Sequence, residues 1–137
     1  MSEAVPAGLR ALIRERAKGK CEYCLLHEDD VLVSHEPDHI VALKHGGPTE
    51  EGNLAWTCFY CNCHKGSDLG SIDVKTGRLT RLFHPRRDKW KRHFRVEGSL
   101  FVPKTAVGRV TVSLLRLNRP DLVDLRGRLI AVGLYPR

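Results

Sequence analysis

The sequence has 137 residues, 42% of them hydrophobic, which suits one domain with a compact core. It has no apolar run long enough to span a bilayer and no signal-peptide stretch, so a cytoplasmic protein without a membrane partner is expected. Lys and Arg number 23 against 16 Asp and Glu, and the net charge of +7 favours a polyanionic partner, nucleic acid above all.

The first expected element is a helix over Pro6 to Ala17. Pro6 suits its first turn, Leu9, Leu12 and Ile13 share one face, and Gly19 suits the exit. Val31-Leu32-Val33 reads as a strand running toward His35 to Ile40, and Gly46-Gly47-Pro48 as a turn. A short helix is expected from about Asn62. Ser71 to Phe83 reads as a hairpin with Thr76-Gly77 at its turn, and the densest basic run, Arg86 to Arg95, follows. Thr105 caps a helix to about Asn118, and a last helix opens at Pro120 and closes near Gly133.

Four of the five cysteines fall into two identical spacings, Cys21-x2-Cys24 and Cys58-x2-Cys61. In a reducing compartment such pairs bind metal more often than they form disulfides. Two pairs complete a closed tetrahedral thiolate site, which is structural and suits Zn2+. Cys63 is left over and is expected to be a small buried residue, although with His64 it lies close enough to complicate the fourth ligand. His35-Glu36-Pro37-Asp38-His39 carries the letters of H-E-x-x-H. That motif needs a helix, and Pro37 opposes one. In a strand, His35, Pro37 and His39 would share a face with Asp38 on the other, unless a bend lets Asp38 and His39 converge.

Between and beyond the knuckles run Asp38-His39-Ile40, Gly46-Gly47, Gly52-Asn53-Leu54 and Cys61-Asn62-x2-Lys65-Gly66. This ordered pattern resembles the HNH endonucleases over Cys21 to Gly66, about a third of the chain. Downstream, Leu82-Phe83-His84-Pro85-Arg86 with Trp90 and His93-Phe94 resembles a group of small bacterial HNH proteins. The resemblance implies an α+β fold: a zinc-stapled ββα-metal core over about 21–70, then a hairpin and flanking helices within a single domain, 71–137 being its extension. It implies His39 as general base and Asn53 as the central asparagine that orients the loop. It further implies Asp38 and Asn62 as ligands of a catalytic divalent ion, with Cys21, Cys24, Cys58 and Cys61 on the structural zinc. Asn62 stands where many members have histidine, so this is an H-N-N variant, and His64 is an alternative ligand.

The residue types suit phosphodiester hydrolysis. Oxygen ligands favour Mg2+ or Mn2+, and a neutral imidazole can take a proton from an attacking water. Helix-terminal amides near Asn62 could also face the phosphate. His35 either joins the site or is an inward-facing structural histidine. Lys65, Arg86, Arg87, Lys89, Lys91 and Arg92 are candidate phosphate contacts, with Trp90 anchoring the core. The expected activity is a metal-dependent endonuclease, on DNA in preference to RNA, acting as a monomer or homodimer. The rival is a zinc-stabilised nucleic-acid-binding module without catalysis, which has no need of Asp38, His39 and Asn62 together.

Overall fold

The computed structural model describes residues 4–137. The chain divides into two compact units, the first ending at Ser67 and the second running from Asp68 to Arg137.

In the first unit, helix α1 covers Ala7–Arg16 with Pro6 just outside it. Leu9 and Ile13 lie one turn apart and pack with Ala17 on Leu54 and Trp56. Leu12, expected on that face, is exposed. It sits about 100° around the helix from Ile13, beyond the reach of the contact. Lys18 and Gly19 then adopt left-handed conformations that end the helix.

Val31-Leu32-Val33 does not form the expected strand. It is a bend with Leu32 fully solvated. β-branched residues favour a pleated, half-buried surface, and here no strand lies alongside to supply one. Strand β1 begins later, at Glu36–His39, and pairs antiparallel with β2, Leu54–Thr57, in the register Glu36↔Thr57 to His39↔Leu54. Helix α2, Phe59–Lys65, follows. It starts three residues before the expected Asn62, because the Cys58 sulfur accepts the Cys61 amide and caps it. The β1–β2–α2 order is the ββα arrangement of the α+β core.

Between β1 and β2 the chain makes a tight loop. Gly46 is left-handed (φ 84°), and Gly47 packs so closely that a Cβ would lie 1.7 Å from the Val41 carbonyl oxygen and 2.8 Å from Asn53 Nδ2. Only glycine fits there without moving backbone.

In the second unit, β3 (Gly70–Ile72) and β4 (Leu79–Arg81) form the expected hairpin, with Gly77 left-handed at its turn. A short helix α3, Trp90–His93, leads into a hairpin absent from the sequence reading, β5 (Phe94–Glu97) and β6 (Leu100–Pro103), turning at Gly98. Thr105 caps α4, Ala106–Leu114, by accepting the Gly108 amide at 3.0 Å. That helix stops short of Asn118, whose amide group instead holds both the Phe101 N–H and C=O at 2.8 Å. Helix α5, Pro120–Ala131, has proline in its first turn, and the left-handed Gly133 follows it. Phe83, Phe94, Phe101, Val110 and Leu122 are buried in this unit, and Asp73 beneath the first hairpin takes a two-point ion pair from Arg109.

Gly47→Ala should therefore cost at least about 2 kcal/mol, since backbone must shift to admit one methyl. Chemical denaturation of the wild type and variant checks this, and an unchanged midpoint would show that the loop relaxes freely.

Candidate functional site

The first assembly of chemical groups is the cysteine cluster. The sulfurs of Cys21, Cys24, Cys58 and Cys61 lie within 4.8 Å of one another, all buried. Each knuckle turns so that the amide of its second cysteine faces the sulfur of its first, Cys24 N to Cys21 Sγ at 3.5 Å and Cys61 N to Cys58 Sγ at 3.4 Å. The left-handed Leu25 lets the first knuckle turn back.

Burial pushes the Cys21 thiol up, but hydrogen bonds from Cys24, Cys58 and Cys61 outweigh it and hold Cys21 well below the ordinary thiol value. Those sulfur contacts push Cys24 and Cys61 well up. Holding all four as thiolates requires a cation among them, and four closed sulfur ligands suit zinc. Cys63, expected to be buried, is exposed instead, two residues past the last cysteine of the cluster and facing solvent from α2.

The second assembly is a cleft of about 480 Å³ in the same unit. Strand β1 brings Asp38 and His39 to it, the turn at Leu43–His45 brings Lys44, and α2 brings Asn62. Asp38, His39 and Asn62 thus border one space. His39 is nearly buried, with Nε2 held 2.9 Å from the Thr49 hydroxyl.

Asn53 is not among the residues that line the cleft. It is buried, and its side chain accepts the Val41 N–H at 2.9 Å and donates to the Val41 and Pro48 carbonyls at 3.0 and 2.8 Å. It clamps the loop that follows His39, a positioning role.

Asp38 is also nearly buried, which pushes its carboxyl up, and the Lys65 ammonium beside it pulls the other way without fully offsetting burial. Lys65 Nζ stands 2.9 Å from Asp38 Oδ2 and donates to the His39 carbonyl at 3.0 Å. Expected as a phosphate contact, Lys65 is only 2% exposed and faces inward. The sequence held a signal for this, because Lys65 lies three residues after Asn62 and hence on the same side of α2. Thr49 and Lys44 had no comparable signal. His35 is a structural histidine: it is buried, with Nε2 2.9 Å from the Leu26 carbonyl and its ring beside Trp56.

The donor set suits a hard divalent ion. Asp38 Oδ2 is a buried carboxylate oxygen that accepts no well-directed hydrogen bond, and Asn62, whose side chain carries an amide oxygen, lines the same cleft.

In the second unit, Arg87, Lys89, Lys91 and Arg92 are exposed and Arg86 is half-buried. Trp90 packs on Phe94 and Phe101, with ring centroids 5.2 and 5.6 Å apart. The His84 loop is held from within. Its ring Nδ1 accepts the amides of Arg86 and Arg87, and Asp88 takes the His84 amide and a two-point pair from Arg81.

A ββα core with a four-sulfur cluster and an Asp-His pair at a cleft is the arrangement that the sequence resemblance implied. Residues 21–68 match the model of the HNH endonuclease family, and this segment is an HNH domain. The chain is also similar to Septu protein PtuA of Bacillus mycoides (strain KBAB4), 28% identical over 148 aligned positions. That alignment covers 88% of this chain and 20% of the relative, so the chain spans about a fifth of that protein's length. No solved structure matches. Among the described residues, no helix is long and apolar enough to cross a membrane.

Metal analysis after dialysis should find about one zinc per chain, as one closed four-ligand site requires. Cys58→Ser should lose that zinc and the fold of the first unit. A folded variant with full zinc content would remove Cys58 from the ligand set.

Proposed function

We propose that the chain is a metal-dependent endonuclease that hydrolyses phosphodiester bonds of DNA at the Asp38–His39–Asn62 cleft. The observation that carries this reading is the convergence of those three residues on one space within the segment that matches the HNH family. Asp38 and Asn62 would hold the divalent ion. A bound Mg2+ or Mn2+ supplies neutralisation of the phosphate oxygens and of the leaving 3′ oxygen. His39 takes the proton from the attacking water. Thr49 engages its Nε2, so Nδ1 is the nitrogen left for that task. Asn53 fixes the loop behind the base. Arg86, Arg87, Lys89, Lys91 and Arg92 grip phosphates along the strand without reading bases, in keeping with the net charge of +7. The likeness to Septu protein PtuA further suggests to us that the activity serves a Septu-type system.

One observation favours the rival, a nucleic-acid-binding module without catalysis: Asp38 already has a buried cationic partner in Lys65. The two readings separate on a supercoiled plasmid incubated with Mg2+ or Mn2+. Wild-type protein should nick it. His39→Ala should cut about a hundred- to ten-thousand-fold more slowly while keeping its zinc and its DNA affinity. Asp38→Asn is the better ligand variant, because Asp38→Ala would strand a buried ammonium at a cost of about 3–5 kcal/mol. Undiminished cutting by His39→Ala would exclude this mechanism, and no cutting by the wild type on DNA or RNA with either metal would favour the binding module.

Arg86→Ala combined with Arg87→Ala should weaken binding equally across unrelated sequences. It should also lower the slope of log affinity against log salt by up to about two, roughly one per lost phosphate contact. Affinity unchanged at both low and high salt would take these arginines out of the interface.

A further inference from the structure

We infer that Lys65 is a positioning residue that stands in for the catalytic divalent ion, holding Asp38 and the His39 main chain in working geometry when the ion is absent. The inference rests on the reading of Asp38 as a metal ligand.

A lysine is among the residues least often fully buried, and burial without partners is costly. Lys65 is 2% exposed at the last position of α2, although a solvated conformation would ordinarily be open to a lysine at a helix end. Its ammonium serves two adjacent residues of β1, forming an ion pair with Asp38 Oδ2 at 2.9 Å and donating to the His39 carbonyl at 3.0 Å. One donor thus fixes the ligand carboxylate and the backbone that carries the base. It also joins the C-terminal end of α2, which contributes Asn62, to the strand that contributes Asp38. Every side chain proposed for the chemistry is tied to this nitrogen directly or through one element.

The pairing has an electrostatic consequence. A carboxylate in so enclosed a place needs a cation nearby to stay ionised. Lys65 supplies a single positive charge that cannot leave. A divalent ion arriving at Asp38 shares the carboxylate with that charge and is repelled by it across a few ångströms. Lys65 therefore keeps the ligand aimed between occupancies, and keeps the ion loosely held. A purely mechanical tie between α2 and β1 would predict neither effect on metal affinity.

The test uses the full chain with its zinc in place and Mn2+ as the probe, counting free Mn2+ by electron paramagnetic resonance. Zinc content and circular dichroism verify the fold. Lys65→Met should bind Mn2+ roughly tenfold or more tightly than wild type, because a charge at this range no longer opposes it. Its melting temperature should fall without Mn2+ and recover with saturating Mn2+. Lys65→Arg, which keeps the charge, should retain wild-type affinity. A folded Lys65→Met with unchanged or weaker Mn2+ affinity would overturn the inference.

If Lys65→Met does not fold, the double variant with Asp38→Asn decides. Removing both charges should restore folding, and a double variant as unstable as the single one would also overturn the inference. Asp38→Asn alone keeps the two readings apart. If it fails to weaken Mn2+ binding, the ligand assignment falls and takes this inference with it. If it weakens binding while Lys65→Met does not strengthen it, only the role of Lys65 falls.

Discussion

Four sulfurs within 4.8 Å of one another tie residues 21–24 to residues 58–61, and everything between them is held by that knot. The elements enclosed are slight. β1 and β2 have four residues each and pair only with each other, and α2 has seven. A two-stranded ribbon of this size is marginal in water, and a helix of two turns is less than marginal. Closing the cluster removes much of the freedom the unfolded insert would have, as any cross-link does, and metal binding becomes folding energy. Trp56 extends the same anchorage. Its indole N–H reaches Glu28, its backbone N–H reaches Glu22, and its ring lies under Arg10 and against the α1 contact.

The cleft inherits its geometry from this arrangement. Asp38 and His39 stand at the end of β1 and Asn62 near the middle of α2, so the cluster sets the distance between strand and helix without entering the cleft. Finer adjustment comes from polar side chains turned inward. Asn53 satisfies three backbone groups of the 41–48 loop, Thr49 holds one nitrogen of His39, and Lys65 links helix to strand. Such groups are costly to bury unless paired, and those named here have partners. The geometry of the cleft is therefore preorganised by the structure behind it.

The features legible in the sequence were those with local physical causes. The paired cysteines, the Gly46-Gly47 loop, the Thr76-Gly77 hairpin, the Thr105 cap and the proline opening α5 each depend on a few adjacent residues, and each is present. The resemblance to the HNH endonucleases singled out Asp38, His39 and Asn62, which border one cleft, and Asn53, which hydrogen-bonds the loop after His39. Features set by distant neighbours were not legible. Val31-Leu32-Val33 has strand propensity but no partner strand, Leu12 misses the packing face, and Cys63 points outward although cysteine is usually buried. The start of α2 was misread because a metal-site sulfur also serves as a helix cap. The β5–β6 hairpin starts where the basic run Arg86 to Arg95 ends, and its first strand is too short, with only Phe94 and Val96 alternating, to give a clear signal. Lys65 reads as a phosphate contact in the sequence: its spacing from Asn62 places it on the cleft side of α2, but only the fold encloses its ammonium against Asp38 and His39.

The outward-facing Cys63 gives the molecule a built-in gauge. It shares α2 with Asn62, yet its thiol is open to reagents while the other four sulfurs are enclosed. A thiol-reactive dye should count one site per folded chain and five once a chelator has emptied the cluster and the first unit opens. The same dye, fixed on the helix that carries Asn62, would report its surroundings optically, so that loss of the knot and changes at the cleft could be followed in one sample.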